Sequence, residues 1–149
     1  MGITMNPLVL SGLIAKRMKD LILDQMIGKK LVSVVKCKGD ERIGGNYKET
    51  LLILKFSDSS SLHCFSPDCW ATVRFESNLT DNLGVVSWAN LAYEHKGGAN
   101  DYGGSTTTTT LTLCFEDQTM DTYTFFGESN GYYDESVYLE WEGIKEEDN

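Results

Sequence analysis

The chain is poor in the residues that mark most catalytic sites and most exported proteins. Its 149 residues include two histidines, two prolines and four cysteines. No apolar run approaches the ~20 residues that cross a bilayer. The segment from Met1 to Leu10 lacks a basic stretch followed by a long apolar run, so no export signal is predicted. We therefore expect a cytoplasmic protein that makes no membrane contact and keeps its cysteines as thiols.

Basic residues are scarce in the second part of the chain. Residues 1–55 contain ten Lys or Arg and five Asp or Glu, a net charge of +5. Residues 56–149 contain three Lys or Arg and seventeen Asp or Glu, a net charge of −14. Because a negative surface repels phosphate backbones, direct nucleic-acid binding is not expected. The same surface would attract a protein partner with a basic surface, although charge that only maintains solubility gives the same pattern.

The apolar pattern predicts one N-terminal helix followed by strands. Apolar residues recur at three- and four-residue spacing from a candidate N-cap at Ser11 to about Met26, and Gly28 fits the left-handed position beyond the helix end. After Gly28, alternation of period two predicts about seven to eight strands. The candidate strand segments are 31–37, 50–56, 62–65, 70–76, 85–95, 106–115, 119–126 and 134–141.

Short connections join the last three candidate strands, which are therefore predicted to form an antiparallel three-strand meander. The predicted fold class is α+β, with one N-terminal helix on a mainly antiparallel β-sheet. We expect a single domain over residues 10–144, a loose leader at residues 1–9 and a frayed acidic tail at residues 145–149. The threonine run at residues 106–110 suits a solvated edge strand. Homo-oligomers could form through this edge or through the apolar face of the helix.

The titratable side chains give weak signals for catalysis or metal binding. His63 and His95 each fall within a candidate strand and outside any known nucleophile or metalloprotease spacing, so both are expected to be ordinary strand residues. Cys64 and Cys69 are separated by four residues, with no second pair of the kind that structural zinc sites use. We expect neither a metal nor a cofactor, and buried thiols at these positions.

The strongest compositional signal is the segment between Gly127 and Tyr133. A tight turn needs glycine and asparagine, but this segment also supplies a carboxylate, a hydroxyl and two phenols. Aromatic side chains in a turn either fold back onto the sheet or serve recognition. The residues predicted to bind a ligand or a partner are Glu128, Ser129, Asn130, Tyr132, Tyr133 and, from a separate strand, Trp88.

The sequence from Gly127 to Val137, Gly-Glu-Ser-Asn-Gly-Tyr-Tyr-Asp-Glu-Ser-Val, resembles the closing motif of a small family of uncharacterised phage and bacterial proteins. Residues 27–31 resemble the family's entry into its first strand. Residues 68–73 resemble its Asp-Cys-Cys-Glu-Ser-Val segment, with Trp70 and Ala71 in place of the second cysteine and the glutamate. The resemblance implies a compact strand-rich domain of phage or prophage origin, and it implies no particular activity.

These observations support three hypotheses of different classes. The first is a non-enzymatic protein of a phage or mobile element that binds a host protein in the bacterial cytoplasm. An anti-CRISPR-like inhibitor of a bacterial defence system, whose acidic surface imitates nucleic acid, is one example. The second is a small-molecule or nucleotide-binding protein, a sponge, that uses the aromatic and polar turn. The third is a hydrolase that pairs Glu128 with Asp134 or Glu135, since glycosidases need two carboxylates at a set distance.

Overall fold

The structure is a computed structural model that describes residues 18–37, 49–67, 71–77, 83–98, 103–131 and 135–144. Within these residues, one helix precedes eight strands. The strands are β1 (Leu31–Lys36), β2 (Glu49–Phe56), β3 (Ser61–Ser66), β4 (Thr72–Phe75), β5 (Val86–Gly97), β6 (Ser105–Phe115), β7 (Met120–Ser129) and β8 (Tyr138–Glu142). Their positions agree with the eight segments of alternating sequence, which confirms the predicted strand-rich architecture.

The strands form two four-stranded antiparallel sheets. The first sheet has the order β1-β2-β3-β8, and the second has the order β4-β7-β6-β5. Strand β6 buries every second residue from Ser105 to Phe115, as expected when one face of a sheet packs on the core. The second sheet therefore has a core face and an outer face, and the odd-numbered residues of β6 lie on the core face.

Helix α1, whose described residues are 18–25, leads into the first sheet through a turn. Leu23 and Met26 are buried against the core. Gly28 has a φ of +82°, which confirms the left-handed conformation predicted beyond the helix end. Its N–H donates to the backbone oxygen of Val86 at 2.8 Å, so the helix end is tied to the start of β5. The predicted N-cap at Ser11 lies outside the described residues.

A short ladder joins the two sheets at the start of β1. Lys30 forms an isolated antiparallel bridge with Val85, and the Leu31 N–H donates to the backbone oxygen of Gly84 at 2.9 Å. The two sheets share one hydrophobic core. Its largest fully buried apolar and aromatic side chains are Met26, Leu31, Leu52, Leu54, Leu62, Leu111, Leu113, Tyr123 and Phe125. Burying an apolar side chain of this size contributes about 1.5–3 kcal/mol, so the shared core holds the sheets together.

Strand β8 does not continue the sheet formed by the strands before it. It pairs with β3 in the first sheet, with Leu139 opposite Cys64 and Trp141 opposite Leu62. The chain between β7 and β8 therefore crosses from one sheet to the other, and Leu139 and Trp141 pack against the shared core. The predicted C-terminal meander is wrong. The meander consists instead of β5, β6 and β7, and the strands form two sheets where one was expected.

Strand β6 lies in the interior of its sheet, where a solvated edge was predicted. It pairs with β5 on one side and β7 on the other, and Thr107 and Thr109 are buried. The predicted edge strand is therefore wrong. Because both sides of β6 already carry hydrogen-bonded neighbours, a second copy of the chain cannot add to it there.

Several predicted features fall on residues that the structure does not describe. These are the leader at residues 1–9, the tail at residues 145–149, and the predicted strand starts at Trp70 and Asp134. In the part of the chain that is described, no helix has the length and apolar character needed to cross a membrane.

Candidate functional site

The residues predicted as a binding turn are divided between a strand and the chain after it. Strand β7 continues to Ser129, so Glu128 and Ser129 are strand residues, and Asn130 follows in an exposed bend. Glu128 lies opposite Thr106 on the outer face of the second sheet, and Ser129 is buried on the core face. The remaining two predicted residues, Tyr132 and Tyr133, lie outside the described residues.

Trp88 lies at the other end of the same sheet. It is half exposed on β5 and lies opposite Cys114, which in turn lies opposite Met120 at the start of β7. Ser129 is nine positions further along β7. This corresponds to about 30 Å at ~3.3 Å per residue. The structure therefore does not bring Trp88 together with the residues at the end of β7.

Glu135 is a buried carboxylate around which the polar part of the core is arranged. Its side chain is 3% exposed. Ser105 and Ser129 donate to Oε2 at 2.9 and 2.6 Å, and Thr107 donates to Oε1 at 3.0 Å. The strand register places Ser105 opposite Ser129 on the core face, so two neighbouring strands present these hydroxyls to one point. A buried carboxylate needs such donors, because its unpaired burial would cost several kcal/mol.

Gly127 makes the space in which the Glu135 backbone lies. It sits opposite Thr107 on the core face of β7. A Cβ at this position would lie 1.9 Å from the backbone oxygen of Glu135, which no side chain allows. The glycine of the closing motif is therefore required by a close approach of two backbone segments.

Two further hydrogen bonds hold the chain that follows β7. The Gly131 N–H donates to Ser129 Oγ at 3.1 Å. The Val137 N–H donates to Thr109 Oγ1 at 3.1 Å, in the buried interior. The residues of the closing motif thus act together to carry a buried carboxylate across the core face of the second sheet. This is a structural role that the compositional signal did not specify.

His95 is the imidazole partner of this carboxylate. It lies opposite Thr107, and its Nδ1 is 2.9 Å from Thr107 Oγ1 and 3.3 Å from Glu135 Oε1. Since the Thr107 hydroxyl donates to Glu135, we assign the Nδ1 proton of His95 as the donor to Thr107. Neither contact uses Nε2, and the side chain is 62% exposed. The second ring nitrogen is therefore available to a molecule beside it.

A cavity of about 750 Å³ lies beside His95, between α1, β5, β6 and the start of β8. Most of its lining is apolar or aromatic, from Met18, Ile22, Leu91, Tyr93, Tyr138 and Leu139. Among the described residues, four polar side chains also line it: Lys19, His95, Thr107 and Ser136. The cavity thus combines an apolar body with a polar wall that is continuous with the Glu135 hydrogen bonds.

Hydrogen bonds to the backbone fix two of the lining side chains. The Tyr93 hydroxyl donates to the backbone oxygen of Val137 at 3.1 Å. Lys19 Nζ donates to the backbone oxygen of Leu91 at 3.3 Å and lies 6.0 Å from the centre of the Tyr93 ring. These contacts connect α1, β5 and the segment before β8. The shape of the cavity is therefore set by tertiary hydrogen bonds before any molecule enters.

His63, the second histidine, has a different arrangement. It lies in β3, where its Nε2 is 3.0 Å from Ser61 Oγ and 3.5 Å from Glu142 Oε2. A Ser-His-carboxylate triad needs the serine and the carboxylate on different ring nitrogens, so that the carboxylate orients the base. Here both groups contact the same nitrogen. The cluster therefore lacks the geometry of an activated serine.

The cysteines do not form a metal centre within the described residues. No group of three or more His, Cys, Asp or Glu side chains there is close enough to hold a metal ion. Cys64 is fully buried, and burial raises the pKa of its thiol far above the ordinary value, with Cys37 nearby as a smaller cause. Cys69, the other half of the predicted pair, lies outside the described residues.

The sequence prediction missed the residues that matter most for this site. Glu135 was named only as one half of a carboxylate pair, and Ser105 and Thr107 were not selected. One signal in the sequence could have found two of them. His95 lies near the end of one predicted strand, and Thr107 lies near the start of the next. Hairpin pairing of those segments brings the two residues together, and the carboxylate comes from the closing motif.

Comparison with known proteins found no relative of this chain. No protein-family model matches the chain, no curated protein matches it, and no solved structure matches it. The resemblance of the closing motif to a phage and bacterial family therefore stays a prediction.

Proposed function

We propose that the protein binds a small, largely apolar molecule in the cavity between α1 and the second sheet. The observation that supports this most strongly is the cavity itself, whose volume of about 750 Å³ is lined by six apolar or aromatic side chains. Ligand sites in proteins are typically concave and mostly apolar, with volumes of ≈300–1,000 Å³ and a few fixed polar groups. His95 and Thr107 provide such groups at the polar wall.

The structure shifts the proposed ligand site away from the turn that the sequence favoured. Trp88 lies about 30 Å along the sheet from Ser129, at ~3.3 Å per residue, so these residues do not surround one ligand. The cavity contains its own aromatic side chains, Tyr93 and Tyr138. Either ring could stack against a flat group such as a nucleotide base, which keeps nucleotides among the ligands to be tested.

A thermal-shift screen tests this proposal. A ligand at 100 times its dissociation constant stabilises a protein by ≈2.7 kcal/mol, which gives a clear rise in melting temperature. The screen should include nucleotides and uncharged amphipathic molecules, and we expect a shift with at least one of the latter. Leu91→Phe, which adds volume to the buried lining, should abolish the shift. Ala92→Phe is the matched control, because Ala92 lies on the exposed outer face of the same strand.

A second candidate function is the binding of a host protein with a basic surface, as an inhibitor of a bacterial defence system would do. It is supported by the net charge of −14 in residues 56–149. Glu94, Glu116 and Asp117 are exposed carboxylates from this part of the chain. They could imitate phosphates in a groove that holds nucleic acid. This function would place the protein in the cytoplasm of a bacterial host.

Affinity capture from a bacterial host lysate tests the second candidate. Glu94→Lys, Glu116→Lys and Asp117→Lys together reverse three exposed charges without touching the core. If acidic mimicry is correct, a partner captured by the wild type at low salt is lost by this variant and is also lost as salt is raised. Capture that is unchanged by charge reversal would contradict mimicry. The Leu91→Phe variant is the control, because it leaves the surface charges unchanged.

A further inference from the structure

His95, Thr107 and Glu135 form a hydrogen-bonded chain that can orient the imidazole as a general base. Glu135 Oε1 lies 3.3 Å from Nδ1 of His95, and the cavity lies beside the imidazole ring. In known His-carboxylate pairs the carboxylate contacts Nδ1–H, which leaves the lone pair of Nε2 to accept a proton. We propose that the protein hydrolyses an uncharged carboxylic ester held in the cavity, with His95 as the general base. This proposal rests on the binding function proposed above.

The surroundings of Glu135 keep its carboxylate in place for this role. Three hydroxyls donate hydrogen bonds to its two carboxylate oxygens at 2.6–3.0 Å; they belong to Ser105, Thr107 and Ser129. Thr107 also contacts His95 Nδ1 at 2.9 Å, so the hydroxyl links the base to the carboxylate. Glu135 acts through His95 and is a positioning residue. Such pre-organisation matters because a general base must be held within hydrogen-bond reach of the proton that it removes.

The composition of the cavity lining favours a carboxylic ester over other hydrolysable substrates. Phosphate esters carry charges that hydrolytic sites meet with several cations, whereas among the described residues Lys19 is the one lysine or arginine in this lining. Peptide bonds need strong assistance at both the carbonyl and the leaving amine. An uncharged ester has a better leaving group, so one base and an apolar pocket can serve it. Its acyl chain would lie against Ile22, Leu91 and Leu139.

The reaction is a hydrolysis in which no group is oxidised or reduced. Nε2 of His95 removes a proton from water as the water oxygen forms a bond to the ester carbonyl carbon. The tetrahedral intermediate then collapses, and the bond between that carbon and the alkoxy oxygen breaks. The imidazolium returns its proton to the departing alkoxide, which leaves as the alcohol, and the acyl part leaves as the acid. The Thr107 hydroxyl accepts from Nδ1–H and donates to Glu135, so the carboxylate holds the imidazole through that hydroxyl.

The two histidines give a matched test. Hydrolysis of 4-nitrophenyl butanoate is followed with the wild type, His95→Gln and His63→Gln. We expect His95→Gln to lower kcat/KM at least ~100-fold, the lower end of what general base catalysis contributes. His63→Gln should keep the wild-type rate, because Nε2 of His63 is engaged by Ser61. His95 is 62% exposed, so its substitution is compatible with folding. Equal rates for the wild type and His95→Gln would overturn the proposal.

A non-hydrolysable analogue separates catalysis from binding. The matching ether, 4-nitrophenyl butyl ether, should raise the melting temperature of the wild type and of His95→Gln alike. If the ether binds and the ester is cleaved no faster than by an equal concentration of imidazole, the hydrolysis proposal is wrong and the binding function stands. If neither the ether nor any other small molecule binds, both are wrong.

The positioning role of Glu135 is tested by a KM-against-kcat split. Glu135→Gln should lower kcat and leave KM and ether binding unchanged, because the carboxylate touches His95 and lies behind the cavity wall. Since Glu135→Gln could impair folding, Thr107→Val provides a second variant that removes the hydroxyl between the two groups. An unchanged kcat in Thr107→Val would contradict the positioning role.

Discussion

The two halves of strand β6 bury the same face with opposite chemistry. In the first half the core face carries Ser105, Thr107 and Thr109, whereas in the second half it carries Leu111, Leu113 and Phe115. Burial does not distinguish the halves, since Thr109 and Leu111 are both fully buried. The two halves differ in the groups that their buried side chains contact. The hydroxyl half meets Glu135 and the backbone of Val137, and the hydrocarbon half meets the shared apolar core.

The comparison shows how a β-sheet can provide a polar wall without losing its packing. Threonine and valine have nearly the same shape, so a strand can exchange methyl groups for hydroxyls while its backbone pairing is unchanged. The hydroxyl half is useful only where a carboxylate is supplied from elsewhere, because unpaired buried hydroxyls would be destabilising. The segment after β7 supplies that carboxylate. Strand and segment therefore depend on each other.

The largest effect should follow from closing the space that the polar half needs. In Gly127→Ala the new Cβ would lie 1.9 Å from the backbone oxygen of Glu135, so the segment must move off the sheet. We expect a loss of about 4 kcal/mol or more in the free energy of unfolding, among the largest single-substitution effects. Chemical denaturation measures it. Gly97→Ala is the control, because a Cβ there meets no atom within 4 Å. Equal stability of the two variants would show that Glu135 does not lie against β7.

The apolar half should respond to lost volume. Leu111→Ala removes a fully buried side chain from the second half of β6. We expect a loss of about 3 kcal/mol in the free energy of unfolding, from lost burial and from the cavity that remains. Thr112→Ala, one residue away on the outer face, is the matched control and should lose far less. The difference between the two unfolding curves checks the result, and similar curves would mean that β6 does not bury its odd-numbered residues.

The polar half should respond to lost hydrogen bonds when volume is kept. Thr109→Val preserves the shape of a fully buried residue and removes the oxygen that accepts the Val137 N–H. An unsatisfied buried donor costs about 1–3 kcal/mol, so the expected loss is smaller than for Leu111→Ala. Hydrogen exchange at the Val137 amide should become faster as well. Thr108→Val, on the outer face, should leave both measurements near the wild-type values.

The smallest effect should come from a surface carboxylate, which contrasts with buried Glu135. Hydrogen bonds from Lys29, and then from Ser60, lower the pKa of Asp58 from 3.8 to about 2. A pKa that is lower in the folded state stabilises the fold above the unfolded pKa, and this contribution is lost as the pH falls from about 4 to about 2. Asp58→Asn should therefore lower the melting temperature slightly at pH 6 and have no effect below pH 2.

Salt provides the control for that prediction. The pKa of Asp117 is also lowered, but by hydrogen bonds from the side chain and backbone of Thr119. Added salt should reduce the effect of Asp58→Asn, because the partly exposed ion pair with Lys29 is screened. It should change the effect of Asp117→Asn much less. The same salt sensitivity in both variants would mean that Lys29 does not stabilise Asp58.

Much of the fold could be predicted because the signals for a strand, alternating apolar residues and flanking turn residues, are local in the sequence. Alternation and turn residues located all eight strands to within a few positions, and Gly28 was placed correctly beyond the helix. Pairing was less predictable, because the rule that neighbouring strands pair has exceptions where a connection crosses between sheets. The chain between Ser129 and Tyr138 is such a connection. Nothing in its length distinguishes a crossing from a hairpin.

The polar wall of the cavity could not be predicted from the sequence, for a different reason. Five consecutive threonines offer no contrast between the two faces of a strand, so the pattern cannot show which hydroxyls are buried. The role of Gly127 depends on contact with a segment eight residues later, and glycine in a turn region is expected without any such contact. Composition therefore singles out the closing motif, while the reason for its glycine and its carboxylate is visible only in the folded structure.

The pairing of β8 with β3 determines when the site forms during folding. The first sheet is complete only when a strand near the C-terminus reaches one from the first half of the chain, and such distant pairings form late and slowly during folding. The crossing segment that carries Glu135 is drawn into position by the same event. In pulse-labelling during refolding, amides of β5 and β6 should therefore gain protection first. The imidazole of His95 should meet its carboxylate only in the final phase.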